Sequence, residues 1–260
     1  MHKYSKILQI SLKNSFAYIK DFIISNLFMI VIILVYVLLW KSIYSSKINI
    51  EFSFKEMIWY LIVNEIVVLS NSQVFKDVER DIKSGAIAYH LNKPYNYPTF
   101  MFFDTMGKNI TSLFINLVLG GILGMVFVGG ISSLKVQNIP FMLVNIILGI
   151  VLNLIIYILI SLSSFWVEEN RPFIWVYRQF VFAFGGFLAP ITLFPKAIYN
   201  ITLHMPWTYV AYHTARSCVK FSFEGFLTTA LWQIGYILLF GGLALLVFRK
   251  GAKVLNVNGG

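Results

Sequence analysis

Six stretches of this 260-residue chain run for about twenty residues with almost no charge, and that restricts the fold to a bundle of helices in a bilayer. A helix rises about 1.5 Å per residue, so close to 20 apolar residues cross a hydrocarbon core about 30 Å thick. The runs cover residues 22–40, 57–75, 110–131, 141–166, 173–189 and 227–248. No water reaches the backbone there, so each run must close its own hydrogen bonds as an α-helix. Only 12% of the residues are charged and 58% are apolar, whereas a soluble domain carries about a quarter charged residues. The sequence predicts an all-α integral membrane protein, one transmembrane domain over residues 1–260, with six transmembrane helices.

Residues 190–226 are also rich in apolar side chains, but Pro190, Pro195 and Pro206 interrupt them. Proline lacks a backbone donor and breaks helices, so this segment is predicted as a re-entrant outer hairpin between spans five and six. Asn64 and Glu65 interrupt the second run. An acid at that depth costs at least about 2.5 kcal/mol, so the pair is expected either to line a pathway or to hydrogen-bond a neighbouring helix. Gly120, Gly121 and Gly124 in the third run suit close helix packing, within the subunit or between two. Phe165, Phe173, Phe180, Phe182 and Phe184 are either lipid-facing bulk or an aromatic lining. Trp40, Trp166 and Trp207 are expected in the interfacial belts.

Lys and Arg number 21. With the N-terminus inside, about two-thirds of them fall on cytoplasmic segments, leaving Lys41, Lys47, Lys55, Lys135, Lys196, Arg216 and Lys220 outside. The bias predicts cytoplasmic termini and an even number of spans. Residues 3–20 lack Pro and Gly, and Tyr4, Ile7, Leu8, Leu12, Phe16 and Ile19 share one half of a helical wheel opposite Lys6, Lys13 and Lys20. This predicts an amphipathic interfacial helix over residues 1–21, lying on the bilayer or packed on its own protein. No small-x-small cleavage pattern follows the first run, so it is expected to stay as an anchor.

The net charge of +10 fits that topology. It does not suggest nucleic acid, because the basic residues form no run interleaved with aromatics. Cys218 alone builds no disulfide framework, and His2, His90, His204 and His213 lack metal-binding spacing. The run from Glu168 through Glu169 and Asn170 to Arg171 is expected to be a short charged turn. No phosphate-binding Gly-x-x-x-x-Gly-Lys-Ser/Thr loop occurs in the chain.

The longest cytoplasmic connection is predicted over residues 76–108. Within it Ser84 is placed to cap a short helix carrying Ile87 and Leu91, Pro94 to end that helix, and Gly85 to permit a sharp change of direction. Such an element suits docking onto a cytoplasmic partner, or it is a solvated loop. The pattern Asp81-Ile82-x-Ser84-Gly85-x-Ile87, then Leu91-x-Lys93-Pro94, resembles the coupling segment of type-2 ABC exporter permeases. The proline-bounded stretch through Pro206-Trp207 is similar to their outer re-entrant pair, departing in Phe194 and Met205 where leucine is common. The likeness covers nearly the whole chain.

The resemblance implies the permease subunit of an ATP-driven exporter in a bacterial inner membrane, performing no covalent chemistry itself. It implies that Asp81, Ile82, Ser84, Gly85, Ile87, Leu91, Lys93 and Pro94 couple to a separate ABC ATPase subunit, which holds the ATP and Mg. No cofactor is expected on this chain. A second permease subunit, identical or related, is implied to complete the pathway, with Pro190, Pro195, Pro206 and Trp207 as an outer gate. The main alternative is an ion-coupled secondary transporter or channel. That would call for paired intramembrane charges and an inverted repeat, where Glu65 stands alone and no repeat is apparent.

Overall fold

The computed structural model describes residues 2–17, 19–46, 50–131, 133–167 and 169–258; Lys47 and Glu168, both used above, lie outside them. Helix α1 (His2–Ala17) and α2 (Ile19–Asn26) precede α3 (Phe28–Ser45). Helix α4 (Phe54–Leu69) breaks at residues 70–73 and resumes as α5 (Val74–Lys83). A single-turn helix, α6 (Ile87–Leu91), leads into α7 (Tyr97–Phe127), and α8 (Ile139–Ser161) runs on through a 3-10 turn to Phe165. Then come α9 (Arg171–Gln179), three short helices α10 (Lys196–Thr202), α11 (Pro206–Val210) and α12 (Tyr212–Val219), and the long α13 (Phe223–Asn258). Strands are absent among the described residues.

Among the described residues five helices are long and apolar enough to cross a membrane: Phe28–Ser45, Phe54–Lys83, Tyr97–Phe127, Val136–Phe165 and Phe223–Val254. The predicted run 173–189 behaves differently. It forms the nine residues of α9 and five more of a π turn, Phe180–Phe184, together about 21 Å at the helical rise. Gly186 at φ 78° and Pro190 then end regular structure.

Helix α4 is the axis of the bundle, its span 72% buried against 22% for α3 and 17% for α13. It packs on α3, α7, α8 and α12. Its start is set by a capping box, in which the Ser53 amide donates to Glu56 at 2.8 Å and the Glu56 amide to the Ser53 hydroxyl at 3.4 Å. Glycines of α7 admit its bulk. A Cβ on Gly124 would lie 2.5 Å from the Trp59 ring, and one on Gly120 2.9 Å from Ile62. Those glycines serve packing within the subunit.

Much of the predicted 76–108 loop is helix. Helix α5 fills its start, and α7 begins at Tyr97, well before the apolar run at 110. Asn96 caps α7 by accepting from the Thr99 amide, with Pro98 in the first turn. The charges that mask this extension from a hydropathy reading are paired. Lys108 lies 3.0 Å from Asp104 and 3.4 Å from Asp77, which binds α7 to α5. The true connection is residues 84–96.

Helix α1 lies along α7 with its lysine side outward. Tyr4, Ile7, Leu8 and Leu12 are partly covered, whereas Phe16 is exposed. The centre of the contact is polar and small. Ser11 and Ser15 are buried, Ser11 donates to the Asp104 carbonyl at 2.5 Å, and Gly107 leaves no room for a Cβ beside Ser11. Trp40 is a correction: at 3% exposure it belongs to the core, whereas Trp166 is half exposed as a belt residue would be.

Candidate functional site

A broken helix inside an apolar bundle leaves carbonyls and amides that must find partners. At three of the breaks among the described residues, polar side chains of the long helices are the partners. At the α4–α5 break, the Ser72 amide donates to Asn109 at 2.8 Å and Asn116 donates to the Ser70 hydroxyl at 3.1 Å. Beyond the π turn, Tyr60 donates to the Gly186 carbonyl, and Asn64 reaches the Gly186 and Phe187 carbonyls at 3.4 Å. The Tyr212 amide adds a bond to the Gly185 carbonyl at 3.0 Å. Between α11 and α12, the Tyr209 carbonyl accepts from Gln233 at 3.0 Å and from Thr214 at 2.7 Å.

Asn64 is therefore a clip for the unwound backbone. Glu65, 2% exposed, turns the other way toward α3, where the Tyr36 hydroxyl is its hydrogen-bond partner. Neither residue lines the main cavity. Asn109, Asn116 and Gln233 went unremarked in the sequence. The seven-residue spacing of the two asparagines, two turns apart on one face of an apolar helix, is the signal that could have found them.

The prolines of the outer segment start helices. Pro195 is the N-cap of α10 and Pro206 the first residue of α11, where a missing amide costs nothing. Pro190 is buried at the head of a 3-10 turn, and Trp207 packs on Phe180 at 5.0 Å. The end of α12 is tied to the loop before α4, with Glu51 3.1 Å from Arg216 and 3.7 Å from Lys220.

At the opposite end of α4 and α5 lies the elbow. Ser84 closes α5 by donating to the Arg80 carbonyl at 2.7 Å, and α6 itself has no side-chain cap, contrary to the predicted role of Ser84. The Ser84 hydroxyl also accepts from the Ala86 amide at 3.4 Å. Gly85 takes φ 73° with open space around it, so it turns the chain and packs on nothing. Asp81 points inward and accepts from Tyr97 at 2.9 Å, with His90 3.7 Å away. Ile82 and Ile87 are buried. The outward face includes Ser84, Gly85, Tyr89, Leu91, Lys93 and Pro94, with Tyr89 64% exposed. The Lys93 ammonium lies over the Tyr89 ring, and a hydrogen bond with the Tyr89 hydroxyl raises its pKa.

Beside the α4–α5 break, facing α8, α9 and the π turn, sits a cavity of about 610 Å³ whose wall includes Asn71, Gln73, Asn153, Arg178, Phe182 and Phe187. Asn170, expected only to form a turn, is fully buried and anchors this region by donating to the Phe75 carbonyl at 3.2 Å and the Ser164 hydroxyl at 3.0 Å. Glu79, unremarked in the sequence, is buried beside Lys83 at 2.9 Å.

Long apolar helices, internal breaks satisfied by buried amides, and a projecting elbow define a polytopic helical membrane protein. The chain belongs to the ABC-2 transporter family: the family model described as ABC-2 family transporter protein matches residues 22–259. Among curated proteins none matches the chain. It is thus a multi-pass membrane protein of the type-2 ABC permease class.

Proposed function

We propose that this chain is the membrane-spanning subunit of an ATP-driven exporter, coupled through residues 81–94 to a separate ABC ATPase and paired with a second permease. One observation carries the reading: a small outward apolar face, Tyr89 with Leu91, stands on an elbow clamped to two long helices. The Asp81–Tyr97 bond joins α5 to α7 across the elbow, and His90 meets the Tyr95 hydroxyl at 2.8 Å. A push on α6 therefore moves α5 and α7 together. In this arrangement Asp81, Ile82 and Ile87 hold the elbow in shape, and the exposed residues make the contact.

The sixth crossing is α9 with its π turn and the unwound 185–190 segment. Both termini are cytoplasmic in a bacterial inner membrane. The prolines at 190, 195 and 206, with Trp207, form an outer gate whose position depends on the Glu51 ion pairs. Purification of the chain from its native membrane should bring an ABC ATPase with it, and transport in proteoliposomes should stop without ATP. Transport by the isolated chain, indifferent to nucleotide, would sink the assignment.

Glu65 separates this reading from an ion-coupled transporter. Its partner is Tyr36 and it lies outside the cavity, so Glu65→Gln should retain most transport. A variant that expresses normally yet transports nothing, or loses a proton-gradient dependence present in the parent, would favour ion coupling.

A further inference from the structure

The cavity beside the α4–α5 break carries a cation that no acid among the described residues pairs with. Arg178 lines the wall, and no carboxylate lies within 4.0 Å of its guanidinium among the described residues. Neutral groups hold it in place. Its Nε donates to the Tyr157 hydroxyl at 3.3 Å, and its Cζ sits 5.2 Å from the Phe75 ring centroid and 5.7 Å from that of Tyr157. Aromatic faces steady a guanidinium without cancelling its charge. Asn153, 1% exposed, also lines the wall. Its oxygen accepts from Tyr177 at 2.8 Å, so the group it has left to offer is its NH2.

The same cavity has an apolar side, made by Val68, Leu69, Val181, Phe182 and Phe187. A volume of about 610 Å³ falls in the range of about 300–1,000 Å³ that accepts whole small molecules, far beyond the needs of a bare anion. Arg178 is exposed, and the neutral groups around it leave its charge available to an anionic group that enters the cavity. The cavity wall thus combines two polar donors, Arg178 and Asn153, with apolar side chains.

We propose that this cavity is a binding site for an anionic amphiphile, with its phosphate or carboxylate head on Arg178 and Asn153 and its apolar tail on Phe182 and Phe187. The proposal rests on the permease reading for its place in a transport path, and it names the class of cargo. A planar guanidinium pairs with two oxygens of such a head at once.

The test uses the full chain in nanodiscs of zwitterionic lipid and three fluorescent probes of equal tail length: a dodecyl phosphate, a dodecyl trimethylammonium and a dodecyl alcohol. The phosphate probe should bind on the order of tenfold tighter than the other two, the gain of one charge-assisted pair. Arg178→Gln should erase that preference, Arg178→Lys should keep part of it, and binding of the alcohol should not change. Equal binding of the cationic and anionic probes by the unaltered chain overturns the proposal without needing any variant. So does an anion preference that survives in Arg178→Gln. Inorganic phosphate that competes at the same concentration as the dodecyl phosphate would assign the site to a free anion and remove the amphiphile. A shift from dimer to monomer in Arg178→Gln with probe binding unchanged would assign the charge to a second copy of the chain. Anion preference in a chain that brings no ABC ATPase with it from its native membrane would defeat the permease reading alone, and ATP-driven transport without anion preference would defeat this proposal alone.

Discussion

Replacing Tyr89 and Leu91 together with aspartate will abolish ATP-dependent transport while the protein still inserts and folds. Both side chains are exposed on the elbow, at 64% and 36%, and neither supports the bundle. The contacts that shape the elbow come from Ile82, Ile87 and the Asp81–Tyr97 bond on its inner side. If the outer pair fills a groove in an ATPase, two charges placed there lose apolar contact and must be desolvated as well. Truncation of a central interface residue costs about 2–4 kcal/mol, so the pair should weaken assembly by at least about a hundredfold. Asp81→Asn provides the contrast. It should leave the ATPase bound but slacken the link between α5 and α7, so that hydrolysis continues with less transport per ATP. Measured affinity between the two subunits decides the matter, and an unaltered value for the double variant would remove the elbow from the interface.

Gly186→Val will cost roughly 2–5 kcal/mol of stability, the sum of a left-handed backbone penalty and an overpacked site. At φ 78° the backbone disfavours any side chain. An added Cβ would also sit 2.9 Å from the Tyr212 Cβ, 2.9 Å from the Tyr60 hydroxyl and 3.1 Å from Ile191. The Tyr60 hydroxyl is one of the groups that close the break after α9, so the clash would pull it off the Gly186 carbonyl it satisfies. Gly85→Ala isolates the backbone part of the effect. Its φ is 73°, nothing lies within 4 Å of the new atom, and the loss should be only about 1–2 kcal/mol. Unfolding in mixed detergent, followed by circular dichroism, compares the two. Equal losses would show that packing around Gly186 is looser than described here.

The helical class and five of the spans were legible because transfer to hydrocarbon is a local sum. Residues 141–166 or 227–248 reveal their fate by their own apolarity, whatever surrounds them. The elbow was legible at Gly85 and Pro94, since a left-handed turn and a missing donor are properties of single residues. The extension of α7 back to Tyr97 was hidden, because Asp104 and Lys108 look like loop residues until each meets its partner on the same or a neighbouring helix. The role of Ser84 is hidden for a similar reason, as a hydroxyl can close the turn before it, here at the Arg80 carbonyl, as readily as open the next.

The amino-acid order by itself determined that the chain enters a membrane, roughly where it crosses, and which short segment projects on the charged side. Only the folded arrangement decided what the buried polar groups do. Tyr60 and Gly186 stand 126 residues apart, and no local pattern tells an amide that will clip a distant carbonyl from one that will meet a cargo. Arg178 acquires meaning the same way, through Tyr157 and Phe75 holding it at a cavity wall. The physical reason is that burial in lipid depends on composition along the chain, whereas satisfaction of a hydrogen bond or a charge depends on which groups meet across it.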